Sequence, residues 1–431
     1  MDTKHGFRSL FIYLLFTSTI FQKGIAQQAR PDSIFLLVPA QVFDGEQMHK
    51  DWVVVVQGHR IEAAGERKSI QIPATAKTIT LDGYTLLPGL IEGHSHLFLH
   101  PYNETSWTNQ VLRESRAERL ARATVHARKT LMAGFTTVRD LGTEGAMYDD
   151  VGLKQAIEKN IIPGPRMLTV TRAIVATGSY APKELSDDLP VIRGAAEADG
   201  IDGLTKEVRT QIGMGADLIK IYADYSWGPE KTVRPTFTEE EIRLVVAIAS
   251  SSGRQVAAHS SSKEGMRRSI MAGVSTIEHG DDGDAEIFAL MKQKGIAYCP
   301  TLSATEAYEE YRGWRKGIDP VPAAVQKKKQ SFRAAIDAGT IICMGGDVGV
   351  YAHGDNAREM EAMVEYGMKP IDVLRAATSV NAKAFGLGTT LGKIQPGYLA
   401  DIIAVDGDPG QQISAVRKIR LVMKNGTIYY P

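Results

Sequence analysis

Short apolar runs alternate with amphipathic helical stretches through the middle of this chain, and that alternation constrains the fold more than any other feature. A strand, a helix and a second strand build a parallel pair, because the crossover returns the chain to the same end of the sheet. Eight such strands predict an α/β fold with a closed (β/α)8 TIM barrel. A doubly wound open sheet is the alternative, although no glycine-rich phosphate loop follows the first strand. The predicted strands are the one that contains His94 and those at 135–140, 166–171, 217–222, 255–259, 276–279, 296–300 and 340–347. The predicted helices are at 114–133, 204–214, 238–251, 263–272, 285–294 and 325–338, and Thr238-Glu-Glu-Glu opens the third as a capping box.

The two ends of the chain show a different pattern. Short strands are separated by turn sequences, with Gly58-His59 and Asp82-Gly83 on one side and Asn425-Gly426 on the other. Such turns join neighbouring antiparallel strands. We therefore predict one small β-sandwich domain built from both ends of the mature chain, at 27–88 and 389–431, with the barrel at 89–388 between them. The polar segment 180–202 is predicted to be a loop over the mouth of the barrel.

Residues 1–26 are predicted to be a secretory signal peptide rather than part of the fold. Lys4 and Arg8 precede an apolar run at 9–21, and Gly24 and Ala26 supply small residues before a cleavage point. The apolar run is short for a membrane span, and an uncleaved signal anchor is the alternative. The pattern predicts a periplasmic or secreted protein with no membrane span after cleavage.

Charge and cysteine content narrow the function classes further. The chain has 50 basic and 50 acidic residues and no basic stripe, which argues against a nucleic-acid partner. The two cysteines, Cys299 and Cys343, lie in apolar strand-like runs, which favours buried free thiols over a disulfide. Their pairing stays open at this point, because the sequence does not give the distance between their Cα atoms.

Polar residues stand at the ends of five predicted strands. His94 and His96 are separated by one residue, so in a strand both side chains point to the same face. Catalytic residues of a TIM barrel come from the C-terminal ends of its strands. Four histidines and one carboxylate suit zinc or a related divalent ion. A structural role remains the alternative for any single residue, but agreement across the strand ends favours a metal site. The candidate ligands are His94, His96, Lys220, His259, His279 and Asp347.

Lys220 is the unusual member of this set, because it lies inside the apolar run 218–222. It is either a buried ion-pair partner or chemically special. An ammonium group cannot bind a metal, but burial beside cations lowers a lysine pKa and favours the neutral amine. A neutral amine can add carbon dioxide to give a carbamate, whose two oxygens can bridge two metal ions.

Several motifs together resemble the amidohydrolase superfamily over essentially the whole mature chain. Within it, the sequence is similar to the branch of metal-dependent Xaa-Pro dipeptidases, carboxypeptidase-like enzymes and ochratoxin-hydrolysing amidases. The branch resemblance rests on Lys220-Ile-Tyr222 and on the segment 353–359. The superfamily motifs are Pro88-Gly-Leu-Ile-Glu-Gly-His-Ser-His96, the strands of Lys220, His259 and His279, Gly345-Gly-Asp347, and the C-terminal segments 376–387 and 391–402.

The resemblance implies a centre of two divalent metal ions, zinc being the leading candidate. His94, His96 and Asp347 would bind one ion and His259 and His279 the other. An N6-carboxylated Lys220 and a hydroxide would bridge them. Lys220 and Asp347 are thus the implied catalytic residues, with Asp347 carrying a proton to the leaving amine. The implied reaction is hydrolysis of an amide or peptide bond next to a free carboxylate, in a dipeptide, an N-acyl amino acid or an ochratoxin-like amide.

Substrate contacts are less constrained by the motifs. Tyr222 is a candidate for binding a substrate carboxylate or the oxyanion, and His353 and Asn356 lie just after strand eight. Arg139 is a candidate carboxylate clamp, with a structural ion pair as its alternative. Relatives often carry Gly-Gly-His after strand three, where this chain has Ala176-Thr-Gly-Ser-Tyr180, so Tyr180 is a further candidate. The resemblance also implies a homo-oligomer acting on a small molecule.

Two other functions were weighed against this one. A mononuclear cyclic-amide hydrolase or deaminase of the same superfamily would lack the carbamate lysine, and Lys220 argues against it. A non-catalytic binding protein on the barrel scaffold would be expected to have lost metal ligands, whereas none of the candidate set is missing.

Overall fold

The computed structural model describes residues 33–182, 188 and 190–429. The predicted signal peptide at 1–26 lies outside these residues. The strands are β1 Ile34–Phe43, β2 Met48–Lys50, β3 Trp52–Gln57, β4 Arg60–Glu66, β5 Lys77–Pro88, β6 Leu90–Ser95, β7 Phe135–Asp140, β8 Arg166–Thr169, β9 Ile174–Val175, β10 Ala196–Glu197, β11 Ile219–Tyr222, β12 Asp224–Tyr225, β13 Arg234–Pro235, β14 Val256–Ser260, β15 Thr276–His279, β16 Ala297–Cys299, β17 Ile402–Asp406, β18 Ile419–Lys424 and β19 Thr427–Tyr429.

Helices connect most of the central strands. The α-helices are α1 Trp107–Arg113, α2 Arg116–Met132, α3 Asp149–Glu158, α4 Gly200–Gly213, α5 Glu239–Ser251, α6 Lys263–Ala272, α7 Ala285–Lys294, α8 Leu302–Tyr311, α9 Ala323–Ala338, α10 Ala357–Glu365, α11 Pro370–Arg375 and α12 Asn381–Ala384. Shorter helical turns are the 3-10 segments Arg67–Ser69, Pro229–Lys231 and Ile413–Arg417 and the π segment Ala376–Val380. Among the residues described, no helix is long and apolar enough to cross a membrane.

Helix ends follow the local sequence closely. Thr238 and Glu241 form the predicted capping box of α5, each side chain accepting the other residue's backbone N–H. Gly273 and Gly295 end α6 and α7 with left-handed backbone, which glycine adopts without steric cost. These caps explain why the predicted bounds of α6 and α7 agree with the structure.

Both ends of the described chain contribute to one mixed sheet, in the order β19-β18-β17-β5-β1-β3-β4, with β2 paired to β1. The predicted turns at Gly58-His59 and Asn425-Gly426 join β3 to β4 and β18 to β19. Val54 and Val56 pack on one face of the sheet, and Val53 and Val55 pack on the other. The strand pairing gives a single continuous sheet, so the arrangement as a two-layer sandwich stays a prediction, as do the exact domain bounds.

The central strands pair in parallel, so the fold is α/β. One set is β6-β7-β8 and the other is β10-β9-β11-β14-β15-β16. Between the sets, the Asp217 backbone N–H donates to the Thr169 carbonyl over 2.8 Å. The first seven predicted strands therefore lie side by side in the predicted order, and their carboxyl ends face one side.

Predicted strand eight is the exception. Segment 340–347 forms no strand and touches its neighbours through parallel bridges from Ile342 to Tyr298 and from Val348 to Ser95. A Cβ at Gly345 would lie 2.4 Å from the Cys299 sulfur and 2.8 Å from the backbone nitrogen of His94. The Gly345-Gly346 pair thus lets this backbone segment approach its neighbours closely, and the segment does not form the regular hydrogen bonds of a strand.

Both cysteines are buried free thiols, the arrangement that the sequence favoured.

Candidate active site

The six predicted metal ligands meet at the carboxyl ends of the central strands. His94 lies in β6, Lys220 in β11, His259 in β14 and His279 in β15, and the parallel pairing brings those strand ends to one side. His96 and Asp347 follow β6 and the bridged segment after β16. The ring centroids of His94 and His279 are 5.0 Å apart, and those of His279 and His259 are 4.4 Å apart. The fold therefore brings together residues that lie up to 253 positions apart in the chain, from His94 to Asp347.

The spacing of the ligand atoms fits a metal ion. Ligand atoms of His94, His279 and Asp347 all lie within 4.8 Å of one another. Oδ1 of Asp347 is 3.5 Å from Nε2 of His94 and 3.3 Å from Nε2 of His96. Imidazole nitrogens and a carboxylate oxygen are the donors that zinc and related ions bind. The donor set thus fits the ions that the sequence predicted.

Two of these residues have unusual backbone conformations. His279 has φ +72° and Asp347 has φ +61°, a region that residues with a side chain rarely adopt. Such conformations cost free energy and persist where the surrounding structure holds them, commonly at functional sites. They support the view that these two side chains are held in place for binding.

Lys220 lies fully buried among these residues, and its Nζ has no hydrogen-bond partner. Burial lowers the pKa of Lys220 to about 8, and the charge of Arg139 acts in the same direction against the opposing carboxylates. A buried ammonium without a partner costs several kcal/mol, so an orphaned amine at this position calls for an explanation. Conversion to a metal-bridging carbamate would supply the missing partners.

The protonation of the histidines suits metal binding on one side of the site. Burial, followed by the charge of Lys220, lowers the pKa of His94 to about 4 and that of His259 to about 3. Burial also lowers the pKa of His279 well below its usual range. These rings are therefore neutral near pH 7, with a nitrogen lone pair free for an ion.

His96 behaves differently because it lies against Asp347. Burial lowers its pKa, but the hydrogen bond to Asp347 and the charge of that carboxylate outweigh burial and raise the pKa to about 9. The neighbouring histidines lower the pKa of Asp347 against the effect of burial. Without an ion the two residues pair as imidazolium and carboxylate, and a binding metal would displace that proton.

Outer contacts fix the orientation of the histidine rings. Nδ1 of His94 lies 3.0 Å from a carboxylate oxygen of Glu278, and Nδ1 of His96 lies 2.9 Å from the Gly142 carbonyl. Nδ1 of His279 lies 2.8 Å from the Thr301 hydroxyl. In each case the remaining nitrogen, Nε2, is left for an ion, which is how metal-binding histidines are commonly held.

Arg139 is part of this outer support and does not fit the predicted role of carboxylate clamp. Its nitrogens donate to the Gly93 carbonyl, to Thr276 and, over 2.7 Å, to Glu278. The side chain is 1% exposed, so no substrate carboxylate reaches it. The structural alternative fits instead, with Glu278 as the partner.

His353 and Asn356 also make hydrogen bonds to other residues of the protein. Nε2 of His353 lies 3.0 Å from the Leu99 carbonyl, and its ring stacks on His126 at 4.3 Å. The Asn356 amide donates to Glu92 over 2.9 Å and is fully buried. Glu92 in turn accepts from the backbone N–H groups of His94 and Gly346. As placed, both predicted substrate contacts brace the segments that carry His94 and Asp347.

Tyr180 and Tyr222 lie in an aromatic cluster at the mouth of the site. The Tyr222 ring stacks on His259 at 4.6 Å, and the Tyr180 ring meets the Tyr222 ring edge-on at 5.1 Å. Both hydroxyl groups donate to the carboxylate of Glu144, which sequence reasoning missed. The Tyr222 hydroxyl therefore donates its hydrogen bond to Glu144 and not to a substrate carboxylate.

Comparison with known proteins agrees with this geometry. The family model described as the amidohydrolase family matches residues 85–429, which is most of the chain. The chain belongs to the amidohydrolase family. The strand-end histidines, Lys220 and Asp347 all lie inside the matched region.

Individual relatives of this amidohydrolase point to one branch of the family. Ochratoxinase from Aspergillus niger is 29% identical over 91% of this chain and 85% of its own length. A solved Xaa-Pro dipeptidase with methionine bound in its active site superposes with a TM-score of 0.80 at 30% identity, covering 93% of this chain and all of that one. A prolidase complexed with N-methylphosphonate-L-proline gives 0.79 at 27% identity, covering 92% of this chain and all of that one. The predicted superfamily and branch are confirmed.

Proposed function

We propose that this amidohydrolase cleaves an amide or peptide bond next to a free carboxylate, at a centre of two divalent metal ions. The observation that carries the proposal is the fully buried Nζ of Lys220, which has no hydrogen-bond partner and lies among histidines and a carboxylate. A structural lysine in this position would have an acceptor. A lysine that becomes a bridging carbamate would not need one from the protein.

Each ion has its own set of residues in this proposal. His94, His96 and Asp347 would hold the first, His259 and His279 would hold the second, and N6-carboxylated Lys220 would contribute to both. Zinc is the ion that this nitrogen-rich donor set favours. When bound, two such ions activate a water molecule at neutral pH and polarise the carbonyl of the amide.

The protein's own groups supply positioning and proton transfer. Glu278, the Gly142 carbonyl and Thr301 hold the imidazole rings, so little reorganisation is needed when the substrate binds. Asp347 faces both His94 and His96 and is the one carboxylate among the proposed ligands. It accepts the proton of the attacking water and passes it to the leaving nitrogen, since an unprotonated amine is a poor leaving group.

We infer that the scaffold of this site is a closed (β/α)8 barrel. Parallel pairings join β6 to β8 and β9 to β16, and the Asp217 backbone N–H donates to the Thr169 carbonyl between the two sets. The bridges at Ile342 and Val348 lead from β16 back to β6. Closure places all the proposed ligands around one opening, which is where TIM-barrel enzymes bind their substrates.

The substrate classes come from the relatives' descriptions. Ochratoxinase and Xaa-Pro dipeptidase both name substrates with an amide linkage. The candidates are therefore dipeptides, N-acyl amino acids and ochratoxin-like amides. The experiment is a screen of such compounds with the zinc-loaded protein, measuring the amino acid that is released. Release from at least one class supports the proposal, and folded, metal-loaded protein that cleaves none of them contradicts it.

Two further proposals concern the protein in its setting. Residues 1–26 direct secretion and are removed, so mass spectrometry of the exported protein should find a new N-terminus near Gln27; an intact Met1 would refute cleavage.

The enzyme assembles into homo-oligomers, which light scattering at micromolar concentration would detect as a mass above the 47.0 kDa of one chain.

A further inference from the structure

Glu144 lies at the centre of the aromatic cluster at the mouth of the site. Its oxygen Oε2 accepts from the Trp107 indole over 2.9 Å and from the Tyr180 hydroxyl over 2.5 Å. Its oxygen Oε1 accepts a longer bond, 3.2 Å, from the Tyr222 hydroxyl. Glu144 is 2% exposed. Three donors from three separate segments thus converge on one buried carboxylate.

The cluster holds this carboxylate without a cationic side chain bound to it. Arg119 approaches from α2, but its guanidinium donates to main-chain carbonyls, including that of Glu144 itself. Within the described residues, no lysine or arginine nitrogen is paired with the Glu144 carboxylate. The charges of Arg119 and His96 act on this carboxylate from a distance, but its hydrogen bonds come from neutral donors, so its oxygens can still attract a cation.

The two hydroxyl groups are left as acceptors. Each donates its only proton to Glu144, so only lone pairs remain to face another group. The ring of Tyr225 adds a further aromatic face, 5.0 Å from Tyr180 and 5.9 Å from His259. Aromatic faces, hydroxyl lone pairs and a carboxylate all favour a positively charged amino group and disfavour a second carboxylate.

The carboxylate also lies beside the proposed metal site. A Cβ at Gly142 would be 3.3 Å from Oε1 of Glu144 and 3.6 Å from Cε1 of His96, so both side chains flank this glycine. In a dipeptide the α-amino nitrogen is separated from the scissile carbonyl carbon by one carbon atom. An amide placed at the metal residues thus brings its amino group into the neighbourhood of Glu144.

We propose that Glu144, with the tyrosines that donate to it, recognises a protonated amino group on the acyl side of the scissile bond. This inference rests on the proposed amide hydrolysis and narrows it, because N-acyl amino acids and ochratoxin-like amides lack that group. Glu144 is then the residue that makes the enzyme prefer free-amine dipeptides.

The test uses matched substrates, a dipeptide and its N-acetyl derivative, on the zinc-loaded full-length enzyme. A charged hydrogen bond contributes a few kcal/mol, so wild type should favour the free amine by about 10- to 100-fold in kcat/KM. Glu144→Gln should reduce that preference by lowering kcat/KM for the dipeptide alone. Tyr180→Phe, which keeps the ring, should reduce it by a smaller factor.

Glu104→Gln is the matched control, since Glu104 is an exposed carboxylate on the loop after β6 and pairs with His100 instead. It should leave the preference unchanged. Equal loss on both substrates in Glu144→Gln would indicate a structural role and overturn the inference. Equal kcat/KM of the wild-type enzyme on the N-acetyl form and on the free dipeptide would also overturn the inference. In that case the proposed amide hydrolysis would still stand. Failure to cleave any amide would overturn the proposed function and this inference with it.

Discussion

Lys220 at the strand ends and Lys424 in the terminal sheet are both buried, and burial lowers the pKa of each to about 8. They differ in their partners. Nζ of Lys424 donates to the Gly164 carbonyl over 2.6 Å, whereas Nζ of Lys220 has no hydrogen-bond partner. Among the charges that act on the pKa of Lys424, that of Asp401 has the largest effect, whereas Lys220 lies among the histidines and Asp347. The lowered pKa is therefore common to both lysines, and what distinguishes Lys220 is a missing hydrogen-bond partner among possible metal ligands.

The two regions are also built for different purposes. The terminal sheet is covered on both faces by apolar side chains. The strand ends instead collect buried polar groups in a small volume, with left-handed backbone at His279 and Asp347. Buried polar groups and left-handed backbone cost stability at the strand ends, whereas the apolar packing of the sheet contributes stability, as expected if the proposed site is held on a rigid scaffold.

The largest predicted effect separates the two lysines directly. Lys220→Ala should reduce amide hydrolysis to background, because the bridge between the two ions is lost, and short carboxylic acids added to the buffer should partly restore it. Lys424→Met should retain activity, since only a contact to the Gly164 carbonyl is removed. Steady-state kinetics on both variants would check this. Equal activity in the two variants would remove Lys220 from the mechanism.

The next effect concerns removal of metal and carbon dioxide. Wild-type enzyme treated with a chelator in carbon dioxide-free buffer should lose activity, and zinc together with bicarbonate should restore it. Zinc alone should restore less, because the carbamate of Lys220 cannot form again without carbon dioxide. Full recovery with zinc in the absence of bicarbonate would argue against the carbamate.

A smaller effect is expected from the carboxylate that orients His94. Glu278→Gln should weaken zinc binding by about 10- to 100-fold, as is typical for a group that holds a metal-binding histidine. Asp401→Asn, in the terminal sheet, is the matched control and should not change zinc affinity. Competition with a chromogenic chelator measures both variants, and an unchanged affinity in Glu278→Gln would contradict the proposed orienting role.

The smallest expected effect is on how the thermal stability of the protein changes with pH. Burial raises the pKa of Glu359 to about 7, against hydrogen bonds from the Leu302 and Ser303 backbone. A carboxyl whose pKa is raised in the folded state contributes stability that is fully present below its pKa in the unfolded state. That contribution is lost as the pH rises through its pKa in the folded state, about 7. Glu359→Gln should therefore show a smaller fall in Tm than wild type between pH 5 and 8. A fall equal to that of wild type would show that Glu359 does not titrate in this range.

Much of the fold follows from local sequence. The bounds of β7, β15, α6 and α7 agree with the prediction, because period, cap residues and turn glycines all point the same way there. Segment 340–347 resembles a strand in sequence, but close contact at Gly345 with Cys299 and His94 overrides that pattern. Among the described residues, helices α1, α3, α8 and α10 to α12 were not predicted.

The proposed ligands were predictable because strand ends converge in a parallel α/β fold. The residues that hold them were not, because each partner comes from a distant part of the chain. Arg139 pairs with Glu278 rather than with its neighbour Asp140, and Asn356 binds Glu92 across 264 positions. Glu92 and Glu278 each interrupt an apolar run, which was the available signal. Glu144 lies in a loop and carried no such signal.

Metal content tests the central claim most directly. Wild-type protein purified after expression with zinc should contain close to two divalent ions per chain by inductively coupled plasma mass spectrometry, and Lys220→Ala should contain clearly less. Fully active wild-type enzyme with one ion per chain, or with none, would contradict the two-metal centre bridged by Lys220.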